Sequence, residues 1–223
     1  MLFILTGAVQ IGKTRWLQAL VRDLAAVGVS SYGVVAPGVW RKPPSGVAAE
    51  TSPEKLGIDN VLLPQGERLH FARRHDLAKQ EGRFNDASQS ARAGLKWEID
   101  DAAIAAVNAH FAALGTAASR DEEGLHAGSP QACAAQTGAT LLQPGLLVVD
   151  ELGRLEILRN QGLTQAVALL DRGPTSLAPH ALIIVRDWLF EDAHARFSVC
   201  WPEIRRIAPN DDARKEIFAL FQH

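Results

Sequence analysis

The sequence predicts a three-layer α/β fold with a mostly parallel central sheet and a β-hairpin elaboration. Three observations predict it. Short apolar runs of strand length alternate with stretches of helical periodicity. The runs Leu2 to Leu5 and Leu146 to Val149 are apolar at every position, as strands buried on both faces must be. A hairpin pattern, Asn60 to Leu63 and Arg68 to Ala72 around Pro64-Gln65-Gly66-Glu67, stands apart from that alternation. The 223 residues fit one domain spanning 1–223.

The elements follow in order. After the strand Leu2 to Leu5, apolar residues recur at helical spacing from Lys13 to Val27 (Trp16, Leu17, Leu20, Leu24, Val27), and Gly28 stops the helix. Tyr32 to Ala36 reads as the second strand. Pro37 to Pro53 is rich in Pro and Gly and reads as loop. Beyond the hairpin, Trp97 to Leu114 predicts an alanine-rich helix, with Ile99, Ala103, Ala106 and Val107 on one face. Gly115 to Gly145 is rich in Ala, Gly, Ser and Thr and poor in large apolar residues. At that length it reads as a flexible insertion, a mobile lid, or both. Regularity returns with the strand Leu146 to Val149, a helix near Leu163 to Leu170, the strand Ala181 to Val185 and a short helix from Trp188. A short strand near Ile204 to Ile207 then precedes a closing helix, capped by Asn210 or Asp211 and running to Phe221.

Composition narrows the function classes. With 47% hydrophobic and 22% charged residues the chain is neither a disordered tail nor a disulfide-stapled miniature. A net charge of −2 argues against a surface built for nucleic acid. The densest basic stretch, Arg68, Arg73, Arg74, Lys79 and Arg83, is diluted by Glu67, Asp76 and Glu81 and reads as a solvated face. No uninterrupted apolar run reaches the ~18 residues of a membrane span. Cys133 and Cys200 form neither a disulfide framework nor a zinc motif, which points to a reducing, cytoplasmic setting.

One motif carries specific chemistry. Gly7-Ala8-Val9-Gln10-Ile11-Gly12-Lys13-Thr14 fits G-x-x-x-x-G-K-[ST] without exception, between an apolar strand and a helix. Glycines let the backbone fold tightly, so that its N–H groups converge on phosphate oxygens. The helix N-terminus adds its dipole, Lys13 reaches the β/γ-phosphates, and the Thr14 hydroxyl joins a Mg²⁺ shell. A plain glycine turn would not need Lys-Thr at this spacing. Loop residues 7 to 14, with Arg15 after them, are therefore the expected nucleotide-binding set.

A magnesium site on such a loop needs an acid at the end of a second buried strand. Leu146-Leu147-Val148-Val149-Asp150-Glu151 supplies it, on the strand edge where open α/β sheets bind ligands. Asp150 is the expected metal partner beside Thr14. Glu151 is placed to orient or deprotonate an attacking water. Arg186, at the end of the strand Ala181 to Val185, is the candidate positive charge for the γ-phosphate; a simple pairing with Asp187 or Glu191 is the plainer alternative. Trp40 and Trp188 also stand at strand exits, where a tryptophan either stacks a base or anchors a loop. His110 beside Phe111 reads as packing. The histidines lack the spacing of a helical metal pair.

The loop Gly7 to Thr14, taken with Asp150-Glu151-Leu152-Gly153-Arg154-Leu155-Glu156, resembles the THEP1-type nucleoside-triphosphatase family of P-loop proteins. That family carries Asp-Glu-Ile/Leu-Gly-x-Met/Leu-Glu after its acidic strand. The resemblance implies a P-loop NTPase fold and Mg²⁺-dependent hydrolysis of ATP, GTP and other triphosphates with little base selectivity. Glu156 matches the family's last acid, in a role the resemblance leaves open. Gln10 replaces the usual middle glycine, Arg15 stands where a small hydroxyl residue is usual, and the 115–145 stretch is longer than the family's connection. Two other readings remain. One is a small-molecule kinase, with Glu151 facing an acceptor hydroxyl, although Arg120 is the one arginine of 115–145 and a lid signal is weak. The other is a nucleotide-dependent switch acting on a protein partner.

Overall fold

The computed structural model describes residues 1–41, 53–126 and 143–222. In chain order its strands are β1 (Leu2–Leu5), β2 (Ser30–Val35), β3 (Gly38–Arg41), β4 (Glu54–Leu63), β5 (Glu67–Arg74), β6 (Trp97–Ile99), β7 (Gly145–Leu152), β8 (His180–Val185) and β9 (Ile204–Ile207). The helices are α1 (Lys13–Ala26), α2 (His75–Gln80), α3 (Gln89–Arg92), α4 (Asp101–His126), α5 (Arg154–Arg159), α6 (Thr164–Asp171), α7 (Phe190–Phe197) and α8 (Asp211–Ala219). All nine strands join one sheet, ordered β6-β5-β4-β2-β7-β8-β1-β9 with β3 against β4. From β2 to β9 the ladders are parallel; β3 to β6 add an antiparallel half.

The period-2 geometry of a strand turns the apolar runs into two cores. From β1, Leu2 and Ile4 enter one core and Phe3 and Leu5 the other. From β7, Leu147 and Val149 join the first, and Leu146 and Val148 the second. The first core is covered by α4, α6 and α7 through Val107, Phe111, Val167, Leu170 and Phe197. The second is covered by α1 and α8 through Leu17, Leu20, Leu24 and Ile217. Each such side chain, fully buried, contributes about 1.5–3 kcal/mol of transfer free energy. Gly33 on β2 has no substitute at its place: a Cβ there would lie 2.1 Å from the Val148 carbonyl oxygen of β7.

Three expectations need correction. The expected hairpin is present as β4 and β5, but it belongs to an antiparallel elaboration of four strands, in which Gly38–Arg41 pairs with β4 inside a stretch read as loop. Its burial is only partial, so no apolar alternation announces it. The helix expected from Trp97 starts at Asp101 instead. Trp97–Ile99 pairs with β5, and the Asp100 carboxylate accepts from the Ala102 N–H at the turn into α4.

The third correction concerns the expected insertion. Helix α4 does not stop at Leu114 but runs through Gly115 to His126. Leu114 and Ala118 are buried, and Arg172 donates to the Gly115 carbonyl and the Ser119 hydroxyl, tying α4 to the end of α6. Gly115 permits close approach to α6, and Ala117 and Ala118 favour the helix, but residues this small show no recognisable apolar face. The remainder of that stretch, 127–142 with Cys133, lies outside the described residues. Asp101–Arg120 is, by length and composition alone, apolar enough to cross a membrane. In the fold its Ile104, Val107, Phe111 and Leu114 pack into the protein.

Candidate functional site

The sheet brings the ends of β1, β2, β7 and β8 to one edge, and the loop after β1 wraps the start of α1 there. Gly7 and Gly12 adopt φ of 135° and 99°, conformations that side chains rarely take. Gln10 also has a positive φ, 67°, at the position of the missing middle glycine. That backbone costs a side chain roughly 1–2 kcal/mol, retained here without glycine's freedom. Gly12 is the N-cap of α1, no side chain caps that end, and no acid stands in its first turn. The orphan N–H groups of α1 are thus left available to an anion. At α8, by contrast, Asn210 accepts from the Ala213 N–H and Asp211 and Asp212 follow.

Lys13 is buried, and its ammonium folds back on the loop, donating to the Gly7 carbonyl at 2.6 Å and the Ala8 carbonyl at 3.1 Å. Ala8, Val9, Gln10 and Ile11 form the exposed rim of the loop, with Val9 and Ile11 presenting apolar side chains to solvent. Arg15 points outward from α1. Thr14 faces the second strand: its hydroxyl donates to Asp150 Oδ1 at 3.2 Å. The other Asp150 oxygen accepts from the Ala36 N–H at 3.0 Å, so β2, β7 and α1 meet on one carboxylate.

Burial pushes the Asp150 carboxyl up to about 6, against the lowering effect of these hydrogen bonds. A carboxylate so desolvated, with a hydroxyl beside it, is a hard-oxygen pair suited to a divalent cation. Among the described residues no group of three His, Cys, Asp or Glu stands together as a metal cage. Any ion here would take its remaining ligands from phosphate oxygens and water, as Mg²⁺ does.

The raised value has a stability consequence. Asp150 favours the fold most when protonated, below about pH 4, and that contribution is lost as the pH rises through about 6. Asp150→Asn keeps an acceptor for Ala36 and a partner for Thr14 without the buried charge. Thermal unfolding at pH 8 without metal is expected to show the variant at least as stable as the wild type, by up to roughly 2–3 kcal/mol. The gain should vanish near pH 4. A variant clearly less stable at pH 8 would contradict the reading of Asp150 as a desolvated charge.

Glu151 follows, across a cis peptide bond from Asp150, where the ladder to β8 is interrupted between Val149 and Leu152. Its carboxylate accepts from Arg186 Nε at 2.9 Å. The two residues singled out in sequence as base and positive charge are therefore paired with each other, not Arg186 with Asp187 or Glu191. Lys55 of β4 also faces this cluster, feeling the charges of both Glu151 and Asp150. Burial holds its ammonium below the usual lysine range. Sequence reading missed Lys55 because Glu54 to Asp59 was given no element. The Leu56, Ile58 alternation into the hairpin was the available signal.

Glu156 has a different place. It is buried, and accepts from the Gly153 N–H at 2.8 Å and the Leu163 N–H at 3.1 Å, closing the first turn of α5 as a capping carboxylate. Burial pushes its pKa up, while those N–H groups pull it down. Its partners are backbone, and it holds the 153–163 turn behind Glu151.

A cavity of about 360 Å³ opens on Thr14, Asp150, Glu151 and Arg186 and extends under β4 to β6. Trp188 is exposed at its rim, and Trp97, which no sequence argument singled out, lines it. Trp40 lies on β3, partly exposed, with the Lys55 ammonium 6.0 Å from its ring. His110 packs edge-on against Phe111, as read, and also bonds the Gly33 carbonyl. In the basic stretch, Arg68 pairs with Asp59, Arg73 with Glu81, and Arg74 with Glu54 and Asp76.

No protein-family model matches the chain, and no curated protein matches it in sequence. Among solved structures it is similar to the solution structure of a human cancer-related nucleoside triphosphatase. The match has a TM-score of 0.55 and 17% identity, covering 99% of this chain and 96% of that one. At such identity the likeness establishes a shared α/β fold over nearly the whole of both chains.

Proposed function

We propose that the protein is a Mg²⁺-dependent nucleoside triphosphatase that binds triphosphates on the 7–14 loop, with Arg15 beside it, and hydrolyses them to diphosphate and phosphate. One observation carries the reading: the Thr14 hydroxyl of a complete G-x-x-x-x-G-K-T loop bonds the buried Asp150, with Glu151 next in the chain. The similar human protein's description as a nucleoside triphosphatase agrees with it. On binding, the Lys13 ammonium exchanges the Gly7 and Ala8 carbonyls for β/γ-phosphate oxygens, a charge-assisted contact stronger than the one it leaves. Thr14 and Asp150 would hold the metal, which when bound would neutralise phosphate charge and polarise the γ-phosphoryl group. Glu151 takes the proton of a water whose oxygen attacks the γ-phosphorus. The bond to the bridging oxygen breaks and the diphosphate leaves. Arg186 and Lys55 keep positive charge beside that carboxylate and the developing negative charge.

Purified protein supplied with ATP, GTP, CTP or UTP should release phosphate from all four over many turnovers, and chelation with EDTA should stop it. Release from none of them, with or without metal, would refute the proposal. A second reading, a small-molecule kinase, is favoured by the cavity at Glu151, where an acceptor hydroxyl would replace the water.

A further inference from the structure

The cavity beside Glu151 is not the phosphate cradle. Residues 7–13 take no part in its wall, and Thr14 alone connects it to the loop. Its 360 Å³ is within the ~300–1,000 Å³ range of small-molecule sites. Its walls are largely apolar and aromatic: Ile58 and Phe71 from the antiparallel half, Leu95 and Trp97 before α4, Leu155 and Trp188 on the far side. Such walls suit rings.

Charge at the mouth supplies the second constraint. Lys96 and Arg154 line the cavity and are exposed, and neither forms an ion pair among the described residues. Half-buried Lys55 and exposed Arg186 are already turned toward Asp150 and Glu151. The cations remaining for a ligand are thus those at the rim, while the inner end meets the candidate base.

We propose that this cavity binds a second small molecule together with the nucleotide: a planar aromatic anion carrying a carboxylate or phosphate. Its rings lie against Phe71, Trp97 and Trp188, its anionic group meets Lys96 and Arg154, and its opposite edge reaches Glu151. The position of that edge rests on the reading of Thr14, Asp150 and Glu151 as the phosphoryl end of the site. An occupant there displaces water from Glu151, so hydrolysis slows while nucleotide stays bound.

The probe is 2-naphthoate, titrated into the protein by calorimetry without nucleotide. One saturable site per chain is expected, weakened about tenfold by Lys96→Ala with Arg154→Ala, and abolished by Ala72→Phe, which fills the buried wall. Leu95→Trp serves the same purpose if Ala72→Phe fails to fold. In the hydrolysis assay 2-naphthoate should lower kcat without raising KM for the nucleotide. Absence of saturation at millimolar concentration, or binding indifferent to all these substitutions, overturns the cavity as the site. Binding displaced by nucleotide, or binding without effect on kcat, overturns its position at Glu151. Calorimetry without nucleotide tests the cavity even where phosphate release fails, which keeps the two proposals separable.

Discussion

Glu151→Gln is expected to lower phosphate release by about 10²–10⁴-fold, the usual contribution of a positioned acid or base. The substitution keeps the size of the side chain and an oxygen to accept from Arg186, now 2.9 Å away, but removes the basic carboxylate. Both partners of that ion pair are substantially exposed, so the pair contributes at most about 1 kcal/mol to the fold and the variant should remain folded. Nucleotide affinity should persist, because Lys13, Thr14, Asp150 and the loop N–H groups are untouched. The measurement is nucleotide affinity and single-turnover phosphate release in the same preparation. Hydrolysis at the wild-type rate would exclude Glu151 as the base. Negligible wild-type hydrolysis that rises only with an added acceptor would favour a kinase, and turnover that rises only with a protein partner would favour a switch.

Lys13→Ala is expected to weaken triphosphate binding and to slow turnover by at least about 10²–10³-fold, the cost of removing one preorganised donor from developing negative charge. The side chain is buried, yet its partners are the Gly7 and Ala8 carbonyls of a loop whose rim is open to solvent. Those carbonyls can rehydrate, so thermal unfolding should change little. Retention of wild-type affinity and turnover would remove the 7–14 loop from the phosphate site.

The parallel half of the fold was legible because its strands are buried on both faces. Leu2 to Leu5 coincides with its strand, Ala181 to Val185 misses one residue, and Leu146 to Val149 lies inside a strand that runs on to Leu152; of the two caps expected for α8, Asn210 is the one used. The antiparallel half was less so. Gly38–Arg41 is only partly buried, and Trp97–Ile99 is three residues long beside a helical pattern that absorbed it. Helix α4 outran its expected end because Gly115, Ala117 and Ala118 pack by being small. In the site, spacing placed Lys13, Thr14 and Asp150 together and chain order placed Glu151 beside them. The Glu151–Arg186 pair, Lys55 and Trp97 depend on which strands lie side by side, which local pattern does not encode. Glu156 could be matched by position, but its capping bonds to Gly153 and Leu163 became visible only once the turn was folded.

If Thr14 and Asp150 hold the metal for phosphates presented to Glu151, turnover must follow magnesium through Asp150. Phosphate release by wild type and Asp150→Asn across one magnesium titration tests this most directly. The wild-type protein should be inactive in EDTA and saturate with Mg²⁺, whereas Asp150→Asn should turn over more slowly and need more Mg²⁺ for half-maximal rate. Superimposable curves for the two proteins, or wild-type turnover indifferent to EDTA, would contradict the assignment.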